Sequence, residues 1–425
     1  MKKFIFFLIL FFPVLGFAQN RAVKTTAQPR NALVNKQFNT SRQAGPQTQQ
    51  EFFAVPQVNS SFVQKEAARE KTIATESYKQ PSVQRPVLPA VKTPVVLKEK
   101  TLSLDRAQTE KEKKPAPAAS TLPPARPGNY RVIYWTNFID NQSPKEKDWA
   151  TKVLDTKNIS LDGRGVQVAI LDSGIKPHSQ FDGASIEVLD ITGKDDPFDF
   201  CGHGTAVAGI IVGKRANDFK GIAPGVNLKS YKIADESGTT NNNYIINALD
   251  SILEYNRQRP ENKISIINIS YGLEQDNIEL KNKLAEVYAS GVAIISAGGN
   301  DGKEGLLYPA AYNFVFAAGS IDRDKKLSDF SNWGAGLDFL LPGSGLRTLG
   351  LNNDYVWVKG TSFSSAYLTG IAALATQAFK DKYGHLPSPQ ELYEILQKIS
   401  TPVRAIAPIK QGYGIPDASK IVSYI

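Results

Sequence analysis

Three short stretches of this 425-residue chain carry side chains that could relay a proton and attack a carbonyl together. Val168-Ala169-Ile170-Leu171-Asp172-Ser173-Gly174 sets a carboxylate at the end of an apolar run, where a turn begins. Gly202-His203-Gly204-Thr205-Ala206-Val207-Ala208-Gly209-Ile210 sets an imidazole at the start of a helix whose small residues allow close packing. Gly360-Thr361-Ser362-Phe363-Ser364-Ser365-Ala366 sets a hydroxyl at the mouth of a long apolar helix, Ala366 to Phe379. A Ser hydroxyl is a poor nucleophile until a base accepts its proton. A His that titrates near neutrality can accept it and then return it to a leaving amine. A carboxylate fixes the imidazole tautomer and stabilises the imidazolium. Each residue has a plainer reading alone: Asp172 as a strand-end turn former, His203 as a helix-start residue, Ser362 as an N-cap. Their joint occurrence, in the order Asp, His, Ser, points to acyl transfer. No Gly-x-Ser-x-Gly is followed by Asp and His, which argues against a nucleophile-elbow hydrolase.

With all three motifs in this order, the sequence resembles the subtilisin-like serine peptidases (subtilases), from about Trp149 to Ile425. Gly221-Ile222-Ala223-Pro224 resembles the family's turn before a strand, and Gly412-Tyr413-Gly414-Ile415-Pro416-Asp417-Ala418 its terminal signature. The resemblance implies that Asp172 orients, His203 is base and then acid, and Ser362 is the nucleophile. Ser296-Ala297-Gly298-Gly299-Asn300-Asp301-Gly302 resembles the family's Ala-Gly-Asn segment. Asn300 would then give its side-chain N–H to the oxyanion, beside the backbone N–H of Ser362. Ser270-Tyr271-Gly272 resembles the substrate-binding strand, on whose edge an extended peptide would pair. Ala297-Gly298-Gly299 would line the pocket for the residue before the cut.

Two departures from the family pattern carry expectations. Phe363-Ser364-Ser365-Ala366 stands where the family often has Met-Ala-x-Pro after the nucleophile. Ala366 favours the helix, and Phe363, larger than Met, is expected to crowd Ser362. Leu307, before Tyr308-Pro309, stands where the family often has a small residue. It is expected to shorten the pocket toward small or medium apolar side chains. Cys201 reads either as a small buried filler or as a thiol that makes the site sensitive to bulky thiol reagents. His178 and His385 read as surface residues. No organic cofactor is implied. Structural calcium is common in the family, but no loop here spells a site; the four carboxylates of 190–199 (Asp190, Asp195, Asp196, Asp199) read equally as a solvated loop.

Positioning these groups requires a particular scaffold. Beyond about Asp148, apolar strand-like runs alternate with helix-like stretches. The strands read at Val166–Leu171, Val226–Ile233, Ile264–Ile269 and Val292–Ile295. Helices read at Tyr244–Tyr255, with Ile245, Ile246, Leu249, Ile252 and Leu253 on one side, and at Ile278–Ala289. This β-α-β-α alternation predicts an α/β fold of three layers, a parallel sheet flanked by helices. Chemistry in such sheets gathers at the carboxyl ends of the strands, where Asp172 falls.

Composition divides the chain. Residues 1–128 hold three of the 32 glycines, and 12 of the 25 prolines fall between Gln19 and Gly128. They carry 20 Lys+Arg against 8 Asp+Glu, while the rest carries 30 against 33. The net charge of +9 therefore belongs to the N-terminal third, and a slightly acidic folded part argues against nucleic acid as a partner. Met1-Lys2-Lys3, the apolar run Phe4 to Phe12 and the small exit Gly16-Phe17-Ala18 read as a signal peptide, residues 1–18. Residues 19–128, rich in Pro, Gln and Lys, read as a disordered basic segment or a propeptide. Residues 129–425 read as the peptidase domain, with a strand-like lead-in at 129–138. No later run is long and apolar enough to span a membrane. The expectation is a secreted or periplasmic protein that takes a peptide or protein substrate, with a weak envelope association through the basic segment. The alternative is an inactive subtilisin-like peptide-binding protein of the envelope. One cysteine excludes an intrachain disulfide, and with three histidines it leaves too few ligands for a structural zinc. Gly213-Lys214-Arg215 lacks the Ser/Thr and the earlier Gly of a phosphate loop.

Overall fold

The structure, a computed structural model, describes residues 138–141, 146–157, 159–214, 219–236 and 238–425. The expected signal peptide, the basic segment and the lead-in strand up to residue 137 lie outside the described residues. A short helix, α1 (Trp149–Val153), precedes the alternation expected from the sequence. That alternation runs β1 (Gln167–Asp172), β2 (Ser185–Asp190), α2 (His203–Val212), β3 (Asn227–Lys232), α3 (Asn242–Gln258), β4 (Ile264–Ile269), α4 (Ile278–Ala289) and β5 (Ala293–Ala297). It continues with β6 (Phe316–Ile321), β7 (Phe339–Pro342), a hairpin of β8 (Leu346–Leu349) and β9 (Tyr355–Val358), then α5 (Thr361–Tyr383), α6 (Pro389–Ile399) and α7 (Ile421–Tyr424). The strands and helices expected between 166 and 295 are all present, with ends moved by a few residues.

Seven strands form one parallel sheet in the order β2-β3-β1-β4-β5-β6-β7. The chain leaves β1 toward one edge, builds β2 and β3, and returns to place β4 on the other side of β1. Connections therefore depart in opposite directions around β1, and a crevice opens at the carboxyl ends of the central strands. Asp172 is the last residue of β1. A parallel sheet must bury both faces, which accounts for the near-continuous apolar runs of its strands. Along β1, Val168 and Ile170 enter one core while Ala169 and Leu171 enter the other. Helices α2 and α5 cover the first face, and α3 and α4 the second.

Two helices bring the remaining chemistry to that crevice. All ten residues of α2 are buried, and the helix packs against α5. The 23-residue α5 is buried from Thr361 to Phe379 and crosses strands β4 to β7. Gly370 marks a contact with no room to spare: a Cβ there would stand 2.5 Å from Cβ of Ile222. Helix propensity alone favours Ala over Gly by about 1 kcal/mol, but overpacking a core costs about 1–3 kcal/mol. Gly370→Ala is therefore expected to lower stability by roughly 1 kcal/mol, read as a lower urea midpoint. A raised midpoint would show that Ile222 yields.

Candidate active site

Asp172 and His203 meet in the interior. The Asp172 carboxylate is fully buried at the end of β1, and its Oδ1 lies 2.8 Å from Nδ1 of His203, a residue only 1% exposed. The backbone N–H of Ser173 donates to the same Oδ1 at 2.8 Å. A carboxylate can only accept here, so Nδ1 carries the proton and Nε2 is left as the basic atom. His203 opens α2, and Gly202 caps that helix with a φ of +88°, a conformation that favours glycine. Gly204 is required by space: a Cβ would stand 2.2 Å from the Gly174 carbonyl and 3.1 Å from Asp172 Oδ1.

A second carboxylate, which the sequence reading placed in an acidic loop, organises this junction. Asp199 is fully buried. Its Oδ1 accepts from Ser173 Oγ (2.9 Å), Cys201 N (3.0 Å) and Gly202 N (2.8 Å). Its Oδ2 accepts from Thr205 N (2.9 Å) and Thr205 Oγ1 (2.7 Å). Ser173 Oγ in turn accepts from Gly204 N at 2.9 Å. One anion thus satisfies open N–H groups at the start of α2 and ties them to the residue after Asp172. The signal in the sequence was an acid four residues before the helix-start His, between Phe198 and Phe200. Another carboxylate of 190–199 is taken up by its own turn. Asp190 accepts from Thr192 N and Oγ1, from Lys194 N and from Asp196 N. Burial opposes its charge, but these donors outweigh it and hold the carboxyl below the ordinary range. Among the described residues no group of three or more His, Cys, Asp or Glu side chains converges to hold a metal.

Ser362 sits in the first turn of α5 rather than at its N-cap, which is Gly360. It is 7% exposed. Phe363, expected to crowd the serine, is buried with its ring centroid 5.4 Å from that of His203. Asn300 is exposed at the end of the β5 loop. Its Oδ1 accepts from both Thr361 N and Thr361 Oγ1 at 2.8 Å. Since a backbone N–H can only donate, the amide orientation is fixed, and Nδ2 is the atom left to donate beside Gly360. Thr361 Oγ1 also accepts from Gly299 N at 3.2 Å, joining this loop to the start of α5.

The six expected substrate-contact residues lie on two neighbouring stretches after β4 and within and after β5. Ser270 and Tyr271 are buried; Ser270 Oγ accepts from Asn268 Nδ2, and Tyr271 OH donates to Asn242 on α3. Ala297 ends β5, and the Gly298 carbonyl accepts from Leu307 N at 3.0 Å. Leu307 lies between the two stretches. A Cβ on Gly272 would stand 2.7 Å from Leu307 Cδ1, and one on Gly299 would stand 2.9 Å from Leu307 Cγ. The absence of side chains at both glycines is what admits this leucine.

The Subtilase family model matches residues 163–414. The chain is 32% identical over 292 residues to the major intracellular serine protease of Bacillus subtilis (strain 168), covering 65% of this chain and 89% of that protein. It is 32% identical over 219 residues to alkaline elastase YaB of Bacillus sp. (strain YaB), covering 51% of this chain. It spans 55% of the elastase's length. Subtilisin Savinase of Lederbergia lenta is 31% identical over 224 residues, covering 52% of this chain and 79% of that one. Residues 138–141 and α1 lie upstream of the stretch matched by the family model.

His385 is exposed, as read from the sequence, but His178 is buried. Its Nδ1 accepts from Gln180 N, and its Nε2 lies 2.9 Å from the Asp354 carbonyl, so it caps a 3-10 turn and joins it to the β8–β9 connection. Cys201 is half-buried. Burial, reinforced by the negative charge of Asp199, pushes its thiol up to about 12. The thiolate, which is the reactive form, is then scarce at neutral pH. Iodoacetamide at pH 8 is expected to leave Cys201 intact in the folded protein and to alkylate it after unfolding, as read by intact mass. Rapid alkylation of the folded chain would contradict this protection.

Proposed function

The chain belongs to the subtilase family, and on that footing we propose that it is an exported serine endopeptidase that cleaves peptide bonds through Asp172, His203 and Ser362. The observation that carries this reading is the buried 2.8 Å contact between Asp172 and His203, beside the helix start that bears Ser362. His203 Nε2 takes the Ser362 hydroxyl proton while Oγ attacks the carbonyl carbon of the scissile bond. Negative charge moves to the carbonyl oxygen, where Asn300 Nδ2 and the Ser362 backbone N–H donate to it. The tetrahedral species collapses, the C–N bond breaks, and the leaving amine takes the proton from His203. A water then repeats the sequence against the Ser362 ester and releases the acid. Asp172 stays ionised throughout and favours the imidazolium. These side chains supply the proton transfers and the oxyanion donors, so the reaction needs no organic cofactor.

An extended peptide pairs with the backbone of Ser270-Tyr271-Gly272 and sends the side chain before the cut toward Ala297-Gly298-Gly299. Leu307 sits between these walls and leaves room for a small side chain. Export rests on the basic start and apolar run of residues 1–18, and residues 19–128 act as a basic tether or propeptide. No helix of the described residues is long and apolar enough to cross a membrane.

A fluorophosphonate probe is expected to label the exported chain and not Ser362→Ala, and the intact mass reports where the N-terminal segment is cut. Folded, processed protein that stays unlabelled would count against an activated serine. In a peptide library the parent is expected to favour Ala or Gly before the cut. Leu307→Gly should raise kcat/KM for Phe or Leu at that position at least about tenfold, since each buried methylene contributes on the order of 1 kcal/mol. An unchanged preference would remove Leu307 from the pocket.

A further inference from the structure

His203 is almost wholly covered although Asp172 touches only one of its ring atoms. Two aromatic rings lie against the imidazole. Phe363 lies tilted, with centroids 5.4 Å apart. Phe138 meets it edge to face, with centroids 5.3 Å apart and planes at 88°. The two phenyl rings are 6.1 Å from each other. Phe363 follows Ser362 directly, so its place is set by α5. Phe138 arrives from far upstream, and its position needs its own support.

That support is twofold. The Lys359 N–H donates to the Phe138 carbonyl and the Asp140 N–H donates to the Trp357 carbonyl, both at 2.8 Å, with Ile139 paired antiparallel to Val358. The segment thus runs antiparallel beside β9 and is held to it by a single bridge at Ile139. Asp140 is buried, and its Oδ2 accepts from Gly345 N at 3.0 Å. The Gly345 carbonyl accepts from Trp149 Nε1 of α1 at 3.0 Å, so the segment is pinned at a second point.

We propose that Phe138 is a positioning residue for the acyl-transfer reaction, acting through His203; this rests on the peptidase reading of the site. The imidazole pivots about its Cβ–Cγ bond, and the contact with Asp172 fixes one edge of the ring. Phe138 and Phe363 pack against it elsewhere, narrow its rotation and keep water from its flank. Water exclusion strengthens the Asp172–His203 interaction, and fixed geometry matters because small displacements of a reacting group lower rates steeply. The catalytic site therefore includes a segment that lies before the residues bearing its chemistry.

The test uses the full chain and its Phe138→Ala, Phe138→Leu and Asp140→Asn variants. Peptide hydrolysis is measured per active site titrated with the fluorophosphonate, so unfolded molecules are not counted. Phe138→Ala is expected to lower kcat about tenfold with KM changed by less than about twofold. Phe138→Leu, which restores an apolar cover, should recover most of the loss, and Asp140→Asn, which weakens the anchor, should lose part of it. Unchanged kcat in Phe138→Ala would overturn the proposal, as would a Leu variant no better than Ala. A rise in kcat/KM on removing the ring would also overturn it, because the segment would then be obstructing the cleft. A parent chain that the probe does not label would defeat the peptidase reading and this proposal with it. A labelled parent with an indifferent Phe138→Ala defeats this proposal alone.

Discussion

A buried carboxylate is costly unless donors surround it, and the candidate site is built around two. Asp172 ends the central strand with His203 Nδ1 and Ser173 N on one oxygen. Asp199 lies behind the junction and accepts five donors from Ser173, Cys201, Gly202 and Thr205. The second carboxylate sets the first pair. It gathers the open N–H groups at the start of α2 and, through Ser173, fixes that helix start against the end of β1. Without it, the imidazole would sit on a helix end whose donors sought water.

The sheet topology supplies the meeting place. Connections leave β1 toward opposite edges, so a crevice opens at its carboxyl end. Helices α2 and α5 pack against each other over one face of the sheet and start near that crevice. Small residues let each helix approach the chain around it, Gly204 beside the Gly174 carbonyl and Gly370 beside Ile222. The same economy of side chains shapes the expected substrate pocket, where Gly272 and Gly299 make room for Leu307. A leucine between two bare backbones is a packing solution that only glycine allows.

The surroundings of the site suppress the thiol: burial first, and then the charge of Asp199, raise Cys201. Asp190 uses its donors to close its own turn.

Much of this was legible in the sequence because its signals are local. Apolar periodicity located β1, β3, β4 and β5 and the helices α3 and α4 to within a few residues but missed β2, β6 and β7, and motif context put Asp172 at a strand end and His203 at a helix start. Leu307 was marked by a single departure from an expected small residue. What the sequence could not express depended on contacts between distant segments. Asp199 read as one acid among four, because burial, not identity, decides whether a carboxylate is a solvated charge or a hydrogen-bond hub. The plainer reading of Ser362 was an N-cap, yet it lies inside the first turn because Gly360 ends the preceding extended run. His178 read as a surface residue, yet Asp354 and Gln180 claim both its nitrogens. Phe138 was legible only as the end of the strand-like lead-in 129–138, with nothing to tie its ring to the site. That ring reaches His203 because its segment bridges to β9 across more than two hundred residues of chain, and no spacing rule records an approach made by folding.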